Sequence, residues 1–566
     1  MPATADERRD PSLIEILRGG DDGVPGMPHW LRRLDHWATR TGDAINPILV
    51  KETRQALKSR QFVTTFSLLL FASLAWTIVG SLLMMPQIYY TPSGQRMLLG
   101  YYFVLAVPML LVVPLAAYRS LEGEVDDGTL ELLTITSLSP RQIVTGKLAS
   151  AALQMLLYFV ALFPSVAYAY TLRGVDLPTI ALLIGILIVS GLGLTMVALA
   201  LAPVSGGRLG QIASLLATLA VLIFAEFAIG AFAIDLIEYG LPVESGDLGF
   251  LILAPLLFGG SFAAILLFAT AAKLTPESEN RSTAIRVAVL VHVFCVIAIA
   301  AAAVAGADDS STNPLLSESE AFPILAGPYL VAFFTIVGSM MSAESPTMTP
   351  RIRRELPGTF LGRLFLTWLT PGPATGLVFS VVTLTVAAIA LHLLLMRAIP
   401  PGSWMASQID QHRKLAMLII PYLMFALVGV RCIISFLRTR NPVNPRVGIA
   451  AMAVMLLLMA LIPYAIGMHL NDYRQFEYSA WQSSNWVWTI SRSMAGTLDP
   501  VAGYLVLGAG CGAFLVHLLL LGQRVLPQRL ATPERVLEEY RRMAGWVPPA
   551  EEETDPLGLG NRGPNA

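Results

Sequence analysis

Charge is scarce in this sequence. Only 14% of its 566 residues are Asp, Glu, Lys or Arg, while 55% are hydrophobic. A soluble domain of this length needs more charge to cover its surface, so that class is excluded. Cysteine is rarer still. Cys295, Cys432 and Cys511 each fall inside an apolar run. No Cys pair occupies a loop, which argues against a disulfide framework or thiolate metal site; the three read as small packing residues. His292, His392 and His517 stand singly on different apolar runs without carboxylates at ligand spacing, so no metal site is expected. The first sixty residues hold no short apolar core with a small-residue cleavage site, and no cleaved signal peptide is expected. A phosphate loop is missing too. Its pattern needs two glycines flanking four residues, then Lys and a hydroxyl, because backbone amides cradle the phosphates. The nearest string, "RQIVTGKL", has Arg141 for the first Gly and Leu148 for the hydroxyl. The chain is therefore not expected to be an enzyme, has no candidate catalytic residue, and has no expected nucleic-acid partner.

What is abundant is long apolar sequence. Twelve runs, near 62–84, 97–118, 148–170, 178–202, 210–234, 249–272, 284–305, 322–343, 376–396, 414–438, 446–470 and 499–523, are each long enough to cross roughly 30 Å of hydrocarbon as a helix. The expected fold is all-α: a polytopic helical membrane protein of two six-helix blocks. Residues 1–61 form a cytosolic segment, 62–275 the first block, 276–525 the second, and 526–566 a cytosolic helix with a disordered tail. Lys and Arg collect before the first run and after the second, sixth, eighth and tenth; among them are Arg141, Lys147, Arg286 and Arg351. Residues 235–248 and 306–321 contain neither. By the positive-inside rule both termini are cytoplasmic in a cell (inner) membrane. The loop near 397–413, with Arg397 and Arg413, fits this less well.

Two polar segments interrupt the pattern. "NPILVKETRQALKSRQF" begins with a capping Asn46 and has Pro47 at the first helical position. Ile45, Ile48, Leu49, Thr53, Ala56 and Leu57 fall on one face, and Lys51, Arg54, Gln55 and Lys58 on the other. This is a basic amphipathic helix suited to the inner interface and its lipids. Glu52 sits near the apolar stripe, as a candidate partner for a neighbouring base. The second segment, "EGEVDDGTLELLTITSLSPRQIVTGKL", lies between the second and third runs. Ser139, Pro140 and Gln142 spell a capping box with Pro at the first helical position, so a new helix starts at Pro140. Glu122, Glu124, Asp126, Asp127 and Glu131 make the segment acidic. The inner leaflet is itself negative, so these acids favour a protein contact over headgroups.

Together the two segments resemble the membrane subunits of ABC-2 type transporters, over roughly residues 40–275. The resemblance implies an elbow helix containing Pro47, Lys51, Glu52 and Arg54. It also implies a contact to a separate cytosolic ABC ATPase subunit at Glu122, Gly128, Thr129, Leu130, Glu131, Ser139 and Pro140. ATP and Mg would be held by that partner, and the chain would be the permease of an exporter. Two other classes remain open: a non-transporting membrane scaffold that recruits a cytosolic complex, and a secondary transporter.

A fainter pattern links the halves. "GTLELLTITSLSPRQIVTG" and "GTFLGRLFLTWLTPGPATG", from Gly358, share Gly-Thr, Leu-[Ser/Thr]-Pro and Thr-Gly. They read as a degenerate repeat in which Arg363 and the preceding arginines replace the acids. The two blocks then either form a pseudo-dimer or leave the first block to pair with a second permease copy. Inside the runs, Glu226 is the deepest acid and a polar functional candidate. Arg431 reads as a snorkelling side chain. Pro108 and Pro114 read as kinks in the second run. Trp481, Trp486 and Trp488 read as an interfacial aromatic belt.

Overall fold

The computed structural model describes residues 46–128, 138–202, 208–240, 245–276, 279–306, 321–346, 349–354, 359, 362, 366–398, 406–439, 443–474, 476–524 and 533–543. Among them there is no strand, and twelve helices are long and apolar enough to cross a membrane. The protein is an all-α, multi-pass helical membrane protein. It divides into two compact units, Met1–Gly240 and Leu241–Ala566.

The first unit contains α1 (Pro47–Lys58), α2 (Arg60–Leu83), α3 (Gly94–Asp126), α4 (Pro140–Thr171), α5 (Leu177–Leu201) and α6 (Arg208–Tyr239). Helix α3 is longer than its apolar run. It continues through Val113–Asp126, so the glutamates expected in a loop lie on its last turns. At Val107–Val112 it widens into a π-helical turn containing Pro108. Proline cannot donate to the ladder, and a wide turn absorbs the missing bond where a sharp kink was expected. Helix α4 begins at Pro140 with the predicted capping box: Ser139 N donates to Gln142 Oε1 at 2.8 Å, and Gln142 N to Ser139 Oγ at 3.3 Å. Asp176 caps α5 by accepting from Thr179 N at 3.2 Å and Thr179 Oγ1 at 2.7 Å. These bonds hold its carboxyl below the usual carboxylate pKa, with burial opposing them in part. The core around α3 and α4 contains Tyr101, Leu105, Met109, Tyr118, Met155 and Tyr158, all buried.

The second unit contains α7 (Ser245–Leu274), α8 (Thr283–Gly306), α9 (Ala321–Ser342), α10 (Pro350–Arg354), α11 (Pro373–Ala398), α12 (Ala406–Leu437), α13 (Val447–Leu470), α14 (Trp486–Met494), α15 (Pro500–Arg524) and α16 (Glu534–Met543). Helix α7, the sixth apolar helix, packs along α8 and belongs to this unit, whereas the sequence reading closes the first block at 275. A continuous core runs through α8, α9, α11, α12 and α13, with Val289, Phe334, Leu377, Ala426, Leu427 and Val430 buried.

Between α13 and α15 the chain re-enters the bundle. Trp486 Nε1 donates to Leu456 O at 2.9 Å, and Asn485 Nδ2 to Ala460 O at 3.0 Å. At 1.5 Å per residue, Leu456 lies about 21 Å along α13 from its end at Leu470, past the middle of the helix. Tyr422, donating to Ser483 O from within α12, marks a similar depth. A 3-10 turn at Ala480–Ser484 forms the tip, and α14 returns toward α15. Irregular backbone at this depth is tolerated because protein surrounds it. The aromatic-belt expectation is thereby corrected. Trp488 packs against Tyr464, Phe476 and Tyr478, Trp486 reaches mid-helix, and only Trp481 is exposed.

Other expectations change as well. Cys432 and Cys511 are exposed rather than packed inside. Arg431 does not simply snorkel: its Nη1 reaches the His517 ring, 2.5 Å from Nδ1 and 2.9 Å from Nε2. A guanidinium only donates, so the imidazole is the acceptor. His292 lies between Ser261 Oγ at 2.8 Å and Tyr329 OH at 2.6 Å.

Candidate coupling site

The amphipathic helix α1 packs on protein along its buried face. Ile48 and Glu52, one turn apart on the same face, are buried, while Lys51, Arg54, Gln55 and Lys58 are exposed. Asn46 fixes its start in two ways: Oδ1 accepts from Ile48 N at 3.0 Å, and Nδ2 donates to Gln142 O at 2.6 Å. The contact with α4 is close because residue 146 is glycine. A Cβ there would lie 2.9 Å from Ile48 Cγ2 and 3.0 Å from Asn46 Nδ2.

Beneath α1 lies an ion cluster. Lys147, one residue after that glycine, has a side chain only 2% exposed. Its Nζ donates to Glu52 Oε1 at 3.0 Å and Ser120 Oγ at 2.7 Å, and it pairs with Glu124 Oε2 at 3.1 Å. Two of these contacts are hydrogen bonds, and the third, to Glu124, is an ion pair. Ser120 Oγ donates onward to Glu52 Oε2 at 3.1 Å. Lys51, half-exposed, reaches Glu124 Oε1 at 3.1 Å. The cluster joins α1, the last turns of α3 and the first turns of α4, the two helices that flank residues 127–139. Lys147 was expected among loop cations; it is instead a buried tie, because α4 starts seven residues earlier, at Pro140. Glu52 does partner a base, as its position near the stripe predicts.

The acids of the segment divide between inward and outward roles. Glu124 turns into the cluster, Glu122 accepts from Tyr118 OH at 3.1 Å, and Asp126 accepts from Gln211 Nε2 at 2.7 Å. Asp127 and Gly128 are exposed. Gly128, at the end of α3, has φ +65°, a left-handed conformation that favours glycine. Ser139 and Pro140 form the cap of α4, and Pro47 starts α1. Thr129, Leu130 and Glu131 lie outside the described residues. Glu226 lies on α6, apart from this cluster. Sequence reasoning missed Lys147, Glu124 and Ser120 as members of one site. The available signal was Lys147 itself, a base set just inside an apolar helix.

The second unit holds a different buried cation. Arg286, on the first turn of α8, is fully buried. Its Nη1 donates to Trp368 O at 2.8 Å, Thr375 Oγ1 at 3.0 Å and Thr370 O, and its Nη2 to Gly372 O at 3.0 Å and Glu344 Oε2 at 2.6 Å. Glu344 Oε2 also accepts from Gly372 N at 2.9 Å. Of the second repeat copy, residues 359, 362 and 366–376 are described; residues 366–376 wrap this guanidinium, and α11 starts at Pro373. Residues 355–358, 360, 361 and 363–365, with Gly358 and Arg363, lie outside the described residues. Among the described residues no group of three or more His, Cys, Asp or Glu comes together.

These observations define a polytopic helical membrane protein whose first unit braces an amphipathic helix against the two helices bordering a polar segment. No family model matches the chain, and neither a curated protein nor a solved structure matches it.

Proposed function

We propose that this chain is the membrane-spanning subunit of an ATP-driven exporter of ABC-2 type, coupled to a separate cytosolic ATPase that carries ATP and Mg. The Lys147–Glu52–Glu124–Ser120 cluster carries this reading. It ties α1, α3 and α4 into one body on either side of residues 127–139, so a force applied to that segment is passed to two spanning helices rather than absorbed by a loose loop. A buried ion cluster is costly unless fully paired. Its presence here is accounted for if the three elements must move together when the partner's ATPase closes. Both termini and the cluster then face the cytoplasm. The ATPase contact is made by the exposed Asp127 and Gly128 with the segment that follows them, and Glu122 and Ser139 support its two ends.

The test is co-purification of this chain with a cytosolic ATPase from its native cells. Gly128→Pro combined with Glu131→Lys is expected to abolish association while leaving membrane insertion intact, since Pro cannot adopt φ +65°. Normal association of the double variant would remove this contact from the reading. Association without ATP-dependent transport in proteoliposomes would favour a scaffold.

A further inference from the structure

The short connection between α12 and α13, residues 438–446, holds three arginines and no Asp or Glu. Arg438 and Arg446 stand at its two ends; Arg440 lies outside the described residues. Both ends are fixed by the fold. Arg438 Nη2 donates to Ala343 O, just past the end of α9. The start of α13 meets the same residue: a Cβ on Gly448 would lie 2.8 Å from Ala343 Cβ. Arg446, two residues earlier, donates its backbone N to Asn444 Oδ1 at 3.2 Å, and Val443 packs into the core. The two arginines are thus brought together around Ala343.

The charge there is not matched by the acid beside it. Glu344, the neighbour of Ala343, is bonded to Arg286 Nη2 and Gly372 N, and among the described residues Arg438 has no carboxylate partner. Arg438 and Arg446 are half-buried, and burial holds both guanidinium groups below the ordinary arginine pKa. An anion placed between them offsets that cost. An apolar track leads away from the same point. Ala450, Val454, Leu457 and Leu461 follow Arg446 at helical spacing and are all exposed. This stripe is about 16 Å long, close to the roughly 15 Å of hydrocarbon in one leaflet. Phe436 and Leu437, the last residues of α12, are exposed beside it at the arginine end.

We infer that Arg438 and Arg446 bind the phosphate of an anionic phospholipid whose acyl chains lie along the exposed stripe of α13. Guanidinium forks match phosphate oxygens in geometry and charge. The continuity of cationic and apolar surfaces selects a lipid over a soluble phosphate compound, which would use the first and leave the second bare. A lipid held there ties α12 and α13 to the end of α9, beside the Arg286–Glu344 pair. The site belongs to the second unit and is independent of the coupling cluster around Lys147.

The experiment titrates the purified full chain in detergent, with no ATPase present, against dioleoylphosphatidylglycerol and dioleoylphosphatidylcholine, with native mass spectrometry as the readout. Phosphatidylglycerol should bind about thirtyfold more tightly, since each arginine contributes about fivefold. Arg446→Gln should weaken its binding about fivefold, and Arg438→Gln combined with Arg446→Gln should erase the preference. Lysine at both positions should stay within about threefold of wild type, which separates loss of the charge from loss of the fold. Arg353→Gln, on exposed α10, should change the affinity by less than about twofold. Equal affinity for the two lipids, or a preference that survives the double glutamine variant, would overturn the inference. Glycerol phosphate carries the headgroup charge without the chains. If it displaces phosphatidylglycerol at comparable concentration, the arginines bind a soluble phosphate and the lipid assignment fails. Because no partner is involved, each of these outcomes leaves the ATPase-coupling reading standing.

Discussion

Replacing Lys147 with methionine keeps the side chain's bulk and removes its charge. The packing cost of such a swap is small, so the effect reports on the ion cluster. Glu52 and Glu124, with side chains 11% and 14% exposed, would lose the ammonium that satisfies both. Removing one partner from a buried ionic group costs about 3–5 kcal/mol. Lys51 still reaches Glu124 at 3.1 Å and Glu52 at 3.9 Å, but it is half-exposed, and such a pair returns at most about 1 kcal/mol. The net loss is about 2–5 kcal/mol, or roughly 30-fold to several thousand-fold in the docking equilibrium of α1. A twelve-residue helix is marginal by itself in water, so undocking also unfolds it. Amide hydrogen exchange across residues 47–58 should accelerate by that factor in Lys147→Met. The combination with Glu52→Gln and Glu124→Gln should recover most of the protection, because no buried charge is then left alone. Exchange in Lys147→Met within about twofold of wild type would refute the claim that the cluster holds α1 in place.

Gly146→Leu should release α1 by another route, since even a Cβ at that position meets Ile48 Cγ2 at 2.9 Å; cross-linking between cysteines at 48 and 146 positions' neighbours on α1 and α4 should fall, and unchanged cross-linking would count against the close contact. Arg286→Met should lower the thermal stability of the second unit by about 3–5 kcal/mol, because Glu344 and three backbone carbonyls lose their donor; thermal unfolding in detergent measures it. Asp176→Ala should cost about 1 kcal/mol by loss of the α5 cap. The carboxyl pKa is lowered on folding, so this contribution is complete above the unfolded value of about 3.9 and fades as pH falls through the folded one. Wild type and variant should therefore converge in acid, and a constant difference would argue against a carboxylate cap.

The helices were legible because each apolar run must satisfy its own backbone in lipid, and length with composition suffices to find such runs. The caps were legible because they are local. Asn46–Pro47 and Ser139–Pro140–Gln142 each complete their geometry within a few residues. The faces of α1 followed from a 3.6-residue period, down to Glu52 lying beside the apolar stripe. The re-entrant segment was not legible. Residues 471–498 have the composition of an interfacial loop, and only the bonds from Asn485 and Trp486 to α13 carry them to mid-helix depth.

Sequence by itself determined the class of this protein, the places where its helices start, and the polar segments that interrupt them, since these depend on local periodicity and transfer of side chains into lipid. Tertiary structure alone decided which charges meet. Lys147 lies 95 residues from Glu52, and Arg286 lies 82 to 86 residues from the carbonyls that it binds in the segment before α11. No period or spacing encodes such distances. They arise from helices packing side by side, and that packing converts an isolated base at the end of an apolar run into the tie between three elements.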